Sequence, residues 1–456
     1  MSLASPDEAP SESAQEAEAA YERFVWKHLP RNFAAHYIHG MLGMTGFRLF
    51  NAPTFLPAYL HLLSGSDFFV GLGQSLQQLG SAVSPVIGAT QIEHRKRVLP
   101  VSMWMGTLMR VQILGVALAG FFLGGRVLLF VVLGFLFLLG LFGGAQQVAF
   151  QTLLAKVIPT ARRGRLQALR NMTGGAIAAG LAWVAGRYII QNNLFGNGYG
   201  VTFLLAFALT SLGLTALRLL MIEPIPPTIR ARSRLMARVR EFPVLLTQDR
   251  HFMFFIIAQV LTTAGRVAAP FYILFAGRSM PLDGKTLGVL SLAYLGADTV
   301  TNMGWGLAGD RFGFRSTFIG ALIVWIAATA LLMNAPTLAA SHGGIGTLLG
   351  VRTWIFIAFF GLGAAQSGFL MSSQTMVLEF GTRDDMPMRL ALTSTAQGIM
   401  NAIGPLIGGV VAAVLGYQVL FSLSIACLAA ALIIFVALIE EPRFRNLAER
   451  LGDEFL

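Results

Sequence analysis

The chain has 456 residues, 55% of them hydrophobic and 12% charged, against about 25% charged in ordinary soluble domains, and its mean hydropathy is +0.67. These values exclude a soluble globular enzyme and predict an integral membrane protein. The net charge of +11 would suit nucleic acid, but the basic residues sit in short connections between apolar runs. Anionic membrane lipids are therefore the expected polyanionic partner, with no nucleic acid.

Residues 1–32 open as an acidic Ser/Ala/Glu/Pro tail with no apolar core for a signal peptide, so the first span is expected to act as its own insertion signal. Twelve apolar runs, each long enough for one crossing, follow at 33–62, 67–92, 98–122, 128–155, 166–190, 199–222, 251–277, 286–309, 316–336, 352–377, 387–414 and 418–439. The fold class is thus an all-α membrane protein of twelve transmembrane helices in two six-helix pseudo-symmetric halves. Its predicted units are a tail over 1–32, a half over 33–222, a basic linker over 223–250, a half over 251–440 and a tail over 441–456. The linker opens with Glu223 and three prolines, then interleaves arginines with Leu235, Met236 and Val239. That pattern reads as a surface helix on anionic lipid, with a regulatory or partner site as the alternative. Alternate connections hold 25 Lys and Arg on one side and 5 on the other, which predicts cytoplasmic termini. The single cysteine, Cys427, excludes an intrachain disulfide and a cysteine metal cluster.

The halves repeat with an offset of 218 residues, which carries Gly88–Arg97 onto Gly306–Arg315 and Arg48 onto Arg266. The second stretch holds Gly306, Asp310, Arg311, Gly313 and Arg315 in the spacing of the signature between helices 8 and 9 of the major facilitator superfamily. Two sets of six helices joined by a long basic connection resemble the same family. A gating role is expected of these five residues: the glycines permit a tight turn, and Asp310 caps a helix or pairs with an arginine. The first copy keeps Gly88 but has Ile92 where the aspartate belongs, Glu93 one position later and Arg95 in place of the second glycine. Gly88 and Glu93 are its candidate gating residues. The resemblance implies a substrate site near the midplane between the halves, lined by helices 1, 4, 7 and 10.

A charged side chain deep in a span costs roughly 2.5 to 3.5 kcal/mol and is a functional hypothesis by default. Arg48 and Arg266 each lie about 15 residues from the inner end of their helix, about 22 Å deep at 1.5 Å per residue. Helical spacing puts Thr45, Arg48 and Asn51 on one face of helix 1, and Gln259, Thr262, Thr263 and Arg266 on one face of helix 7. Helix 4 adds Gln146 and Gln147, and helix 10 adds Gln366. The candidate substrate-binding residues are Arg48, Arg266, Asn51, Gln146, Gln259 and Gln366. Helix 8 carries the stripe Tyr294, Asp298, Asn302 and Trp305, whose plain alternative is interhelical hydrogen bonding.

Deep in the spans Arg48, Arg110 and Arg266 face one carboxylate, Asp298. Asp298 is expected either to pair with Arg266 or to couple protons, which leaves Arg48 without an internal partner and ready for a carboxylate or phosphate. Arg110 is expected to bond neighbouring backbone or to snorkel, and not to bind substrate. His36 and His39 lie in the inner third of helix 1, where a histidine could relay protons; His39 reads as structural, because it is nine residues from Arg48, about 180° around the helix, and faces away from the cavity.

The function expected is a secondary active transporter of a small organic or phosphorylated anion, working by alternating access with a proton or counter-anion. The arginine pair resembles that of the organophosphate/phosphate antiporter branch. A proton-coupled exporter of drugs is the alternative within transport, though it would want a carboxylate on the cavity helices. A transporter-like sensor or assembly factor is the alternative outside it. No nucleotide-binding glycine loop, metal-ligand spacing or nucleophile with a base is present, so no enzyme, metal or cofactor is expected. A monomer in the cell membrane, the inner membrane of a bacterium, completes the reading.

Overall fold

In lipid every backbone N–H and C=O must be satisfied within its own segment or a closed barrel, and apolar runs of this length meet that requirement as helices. The computed structural model describes residues 12–92, 95–226, 249–340, 350–380 and 386–440. The described residues form twelve consecutive helical units and no strand. These are α1 (Glu12–Phe50, resuming as Phe55–Ser64), α2 (Asp67–Ile92), α3 (Leu99–Phe122), α4 (Gly125–Val157), α5 (Thr160–Val184, continued by a π turn to Ile190) and α6 (Gly198–Leu220) in the first half. The second half has α7 (Arg250–Gly265, then Arg266–Phe271 and Tyr272–Ala276), α8 (Gly284–Phe312), α9 (Phe314–Ala340), α10 (Val351–Glu379), α11 (Met386–Val414) and α12 (Tyr417–Ala437).

Among the described residues, eight of the units are apolar enough to be recognised as spans by composition. The other four are α1, α2, α5 and α8, and three of these form the seam between the halves: α2 packs on α11, and α5 packs on α8. Their polarity reflects this position, since a face turned to another helix or a cavity need not be apolar. Within the halves α1 lies on α6, α2 on α4, α9 on α10 and α7 on α12.

Two features depart from twelve regular spans. Helix α1 begins at Glu12, well before the predicted start at 33, and its extension is anchored by Tyr21 Oη donating to Lys156 O and Arg31 Nε donating to Leu220 O. Both cavity helices are also interrupted at matched height. α1 breaks between Phe50 and Phe55 at Pro53, and α7 tightens to a 3-10 turn over Arg266–Phe271 around Pro270. A proline lacks the N–H that a regular helix needs and clashes with the preceding turn.

We call the end holding Glu12 and Ala437 the tail face. There Gly313 ends α8 with φ +86°, a left-handed value that costs a residue bearing Cβ about 1–2 kcal/mol. Asp310 and Arg311 are exposed beside it, and Arg315 donates to Phe435 O and Val436 O at the end of α12. Of the first-half copy, Gly88 lies within helical α2, and Glu93 lies outside the described residues. Most of the predicted linker and the tail from 441 onward lie outside them too.

The start of the linker has a clear task. The Glu223 carboxylate accepts from Val98 N at 2.6 Å and Leu99 N at 2.9 Å, capping α3, and meets Lys156 Nζ at 3.2 Å. Anions are favoured at a helix N-terminus, and hydrogen bonds to a charged group are worth about 1.5–3 kcal/mol. Glu223→Ala is expected to destabilise the chain by about 2 kcal/mol, read as a lower denaturation midpoint in detergent, with transport retained in the folded fraction.

Candidate functional site

Between the halves lies a cavity of about 800 Å³. It extends from the interrupted middles of α1 and α7 toward the tail face, where Gln147, Gln151 and Gln167 on its wall are exposed. The far face is shut. Thr54 hydroxyl meets that of Ser291 and donates to Leu287 O, Tyr417 Oη donates to Asp67 at 2.8 Å, and Leu406 N donates to Ser75 Oγ at 2.8 Å. Two backbone crossings complete the closure, α5 against α8 at Gly186 and Gly288, and α2 against α11 at Gly71 and Gly409.

The wall is cationic. Arg48, Arg110, Arg170 and Arg266 line it, together with eight glutamines, and no aspartate or glutamate is among the described lining residues. Of the residues singled out from sequence, Arg48, Arg266, Asn51, Gln146 and Gln366 all stand on this wall. Arg266 Nη2 donates to Gln366 Oε1 at 3.2 Å, and its guanidinium lies over Phe369 at 4.5 Å and Trp325 at 5.6 Å. Aromatic faces hold a guanidinium without neutralising it. Gln77 Nε2 donates to Asn51 Oδ1 at 3.0 Å.

Several expectations are corrected. Asp298 pairs with Arg48, not Arg266: Nη1 and Oδ2 are 2.8 Å apart. The partner that Arg48 was not expected to have comes from the opposite half, across the α5–α8 seam, where Gly175 lies against Thr299 and Arg48. Gln259 does not line the cavity. It is fully buried, accepting from Gln397 at 2.8 Å and donating to Ser373 at 2.8 Å, because α10 and α11 cover α7 at that depth. His39 does line it, stacked on Phe150 with centroids 4.9 Å apart, because the cavity widens around α1 toward α4 and α5. Arg170, one of the 25 basic residues assigned from sequence to the tail-side connections, is 8% exposed and sits in the wall.

The plain reading holds for other polar residues. Asn302 donates to Ser367, and Trp305 Nε1 donates to Ala364 O, fastening α8 to α10. Arg110 donates to Thr210 O and Gly106 O, both at 2.7 Å, as expected of an arginine serving neighbouring backbone.

Residues 252–454 match the family model of the Major Facilitator Superfamily. A stretch of 120 residues, 26% of this chain, is 28% identical to the MFS-type transporter pgmG of Aspergillus terreus, of whose length it spans 19%. Among solved structures, a mutant form of the nucleoside transporter NupG superposes with a TM-score of 0.70 at 13% identity, covering 90% of this chain and 100% of that one. A D-xylose-proton symporter superposes with 0.64 at 14% identity over 91% and 99%. A bacterial homologue of the iron transporter ferroportin in its inward-facing state gives 0.65 at 12% identity over 90% and 98%. The second half of the chain thus matches the Major Facilitator Superfamily model, and the whole length has the all-α multi-pass membrane fold of these transporters.

Proposed function

We propose that the chain is a secondary transporter of a small organic or phosphorylated anion bearing several hydroxyl or amide groups, carried by alternating access of the two halves. The observation that carries this reading is the cavity wall, with four arginines, eight glutamines and no described carboxylate. A guanidinium binds carboxylate or phosphate through paired N–H donors. Glutamine side chains both donate and accept, which suits hydroxyls. Two of the fold neighbours are named for a nucleoside and for xylose, both rich in hydroxyls. A cationic drug, the runner-up substrate, would meet like charge at Arg110, Arg170 and Arg266, none of which has a carboxylate partner among the described residues.

In this reading Arg266 is the fixed anchor, since its aromatic bed and Gln366 hold it while its charge stays open. Arg48 is the exchangeable one, because an arriving anion competes with Asp298 for it. Protons or a counter-anion supply the gradient, with Asp298 as the coupling carboxylate. The termini and tail face are cytoplasmic in a bacterial inner membrane, so the closed far face is the outer one. Gly306, Asp310, Arg311, Gly313 and Arg315, with Gly88 and Glu93, are the gate at the tail face.

The test is uptake of labelled hexose phosphates, glycerol 3-phosphate and sugar acids into proteoliposomes, with lipophilic cations as the contrast. Arg266→Lys is expected to lower uptake at least tenfold with unchanged monodispersity, because an ammonium cannot reproduce the planar fork stacked on Phe369. Uptake of cations alone, or unaltered anion uptake by Arg266→Lys, would refute the reading.

A further inference from the structure

Arg170 and His39 are buried polar groups of the cavity wall that the proposed midplane site does not use and that bond no neighbour among the described residues. Arg170 is 8% exposed, and among the described residues it donates no hydrogen bond and makes no ion pair. Its guanidinium lies over Phe150 at 5.0 Å. It is bedded against α1 at Gly40, where a Cβ would stand 1.9 Å from Arg170 Nε. His39 is 7% exposed, is stacked on the same Phe150, and has no partner for either ring nitrogen. Both line the open cavity. Arg110 nearby differs, since its guanidinium is occupied by Thr210 O and Gly106 O.

A buried cation is retained when something pairs with it and satisfies its donors. Here the sequence supplies an aromatic pillar, a glycine that lets the arginine lie flat on α1, and a histidine alongside, but no acceptor. Along α1, Gly40 under Arg170 and the backbone of Arg48 are eight residues apart, about 12 Å at 1.5 Å per residue; the Arg48 side chain leans back toward the N-terminus of α1 to meet Gly175, so this is the upper bound on the separation of the two guanidinium levels.

We propose that Arg170 and His39 form a second oxyanion subsite in the first half, tailward of the Arg48 and Arg266 level, and that the transported molecule carries anionic groups at both ends. The inference rests on the anion-carrier reading and names its substrate more closely. The cavity of about 800 Å³ has room for such a ligand. Because the subsite belongs to α1, α4 and α5 alone, it holds one end of the substrate on one half while the midplane arginines hold the other between halves.

The probe is a series of α,ω-alkane bisphosphonates of increasing length, compared with methylphosphonate by titration of the purified, detergent-solubilised chain. The expected result is an affinity maximum at an intermediate phosphonate separation no greater than about 12 Å, at least tenfold above methylphosphonate, as tethering a second binding group allows. Arg170→Gln is expected to flatten the length dependence. Gly40→Ala, which keeps the charge but displaces the Arg170 side chain, should blunt it as well and covers the case in which Arg170→Gln does not fold. A series with no maximum in the native chain, or a maximum surviving in both variants, overturns the proposal. Methylphosphonate and hexose phosphates both failing to bind would instead overturn the anion-carrier reading beneath it, whereas methylphosphonate binding with a flat series overturns only the second subsite.

Discussion

Asp298→Asn is expected to leave the chain folded, to tighten binding of a phosphorylated anion about tenfold, and to slow its turnover by a similar factor. The ion pair between Arg48 Nη1 and Asp298 Oδ2 is 2.8 Å long, and its side chains are 24% and 11% exposed. A substrate anion that takes Arg48 must displace Asp298, so the empty state is favoured by whatever the pair contributes. Removing the charge of Asp298 removes the competitor, and coupling energies of about 1–3 kcal/mol correspond to roughly 5- to 150-fold in affinity. Affinity differences of this kind reside mainly in dissociation. A slower release then becomes the step that limits transport. The fold should survive because Arg48 stands on a water-accessible wall and is not left in a sealed interior, where breaking a pair would cost about 3–5 kcal/mol. Titration of hexose phosphate against native and Asp298→Asn chains, with uptake in proteoliposomes, reads both effects. Equal affinity and equal uptake would show that the pair is structural glue and that Asp298 takes no part in coupling.

The positions of the twelve helices were legible because hydropathy is local: an apolar run of sufficient length in lipid has few alternatives to a helix. The arginine pair was legible because charge inside such a run is conspicuous. What stands opposite each residue was not. Helical angles place Gln259 beside Arg266 and turn His39 away from Arg48, yet Gln259 is sealed by Ser373 and Gln397 while His39 stands on the cavity wall. Periodicity fixes the face of a helix, whereas helix tilt and neighbours fix what that face meets at each depth. The partner of Asp298 was misassigned for the same reason, since the contact crosses from α8 to α1 over a seam that no local pattern encodes. Arg170 follows Arg162, Arg163 and Arg165 closely enough in sequence to pass for a connection residue, though it precedes the small residues Gly174 and Gly175, as a helix-interior position would. The sequence carries a further signal of the breaks. Pro53 and Pro270 repeat nearly at the offset that relates the halves, and they mark the two breaks beside Arg48 and Arg266.

Gly186→Leu is expected to lower transport several-fold and to shift the cavity away from the tail face. At the α5–α8 crossing a Cβ on Gly186 would stand 2.4 Å from both Gly284 O and Gly288 Cα. Those neighbours are backbone, so no rotamer change relieves the clash and the helices must separate. Separation there opens the far face, and the two halves, moving as bodies, then close the tail face. Overpacking costs about 1–3 kcal/mol or more, which is the size of the free-energy gap between alternate protein conformations, so the far-open form rises from a minor state to one at least as populated as the tail-open form. The second seam gives a check free of the π turn that holds Gly186: a Cβ on Gly71 would stand 2.2 Å from Pro405 O, so Gly71→Leu should act in the same direction. The measurement places a reporter at Gln147→Cys, exposed on the cavity wall, in a Cys427→Ser background, and applies an impermeant maleimide to each side of oriented vesicles. Labelling from the tail face should fall and labelling from the far face should rise in both glycine variants. If labelling and transport stay at native levels, the glycine crossings do not hold the far face shut, and the closure must rest on the hydrogen bonds of Thr54, Ser75 and Tyr417 alone.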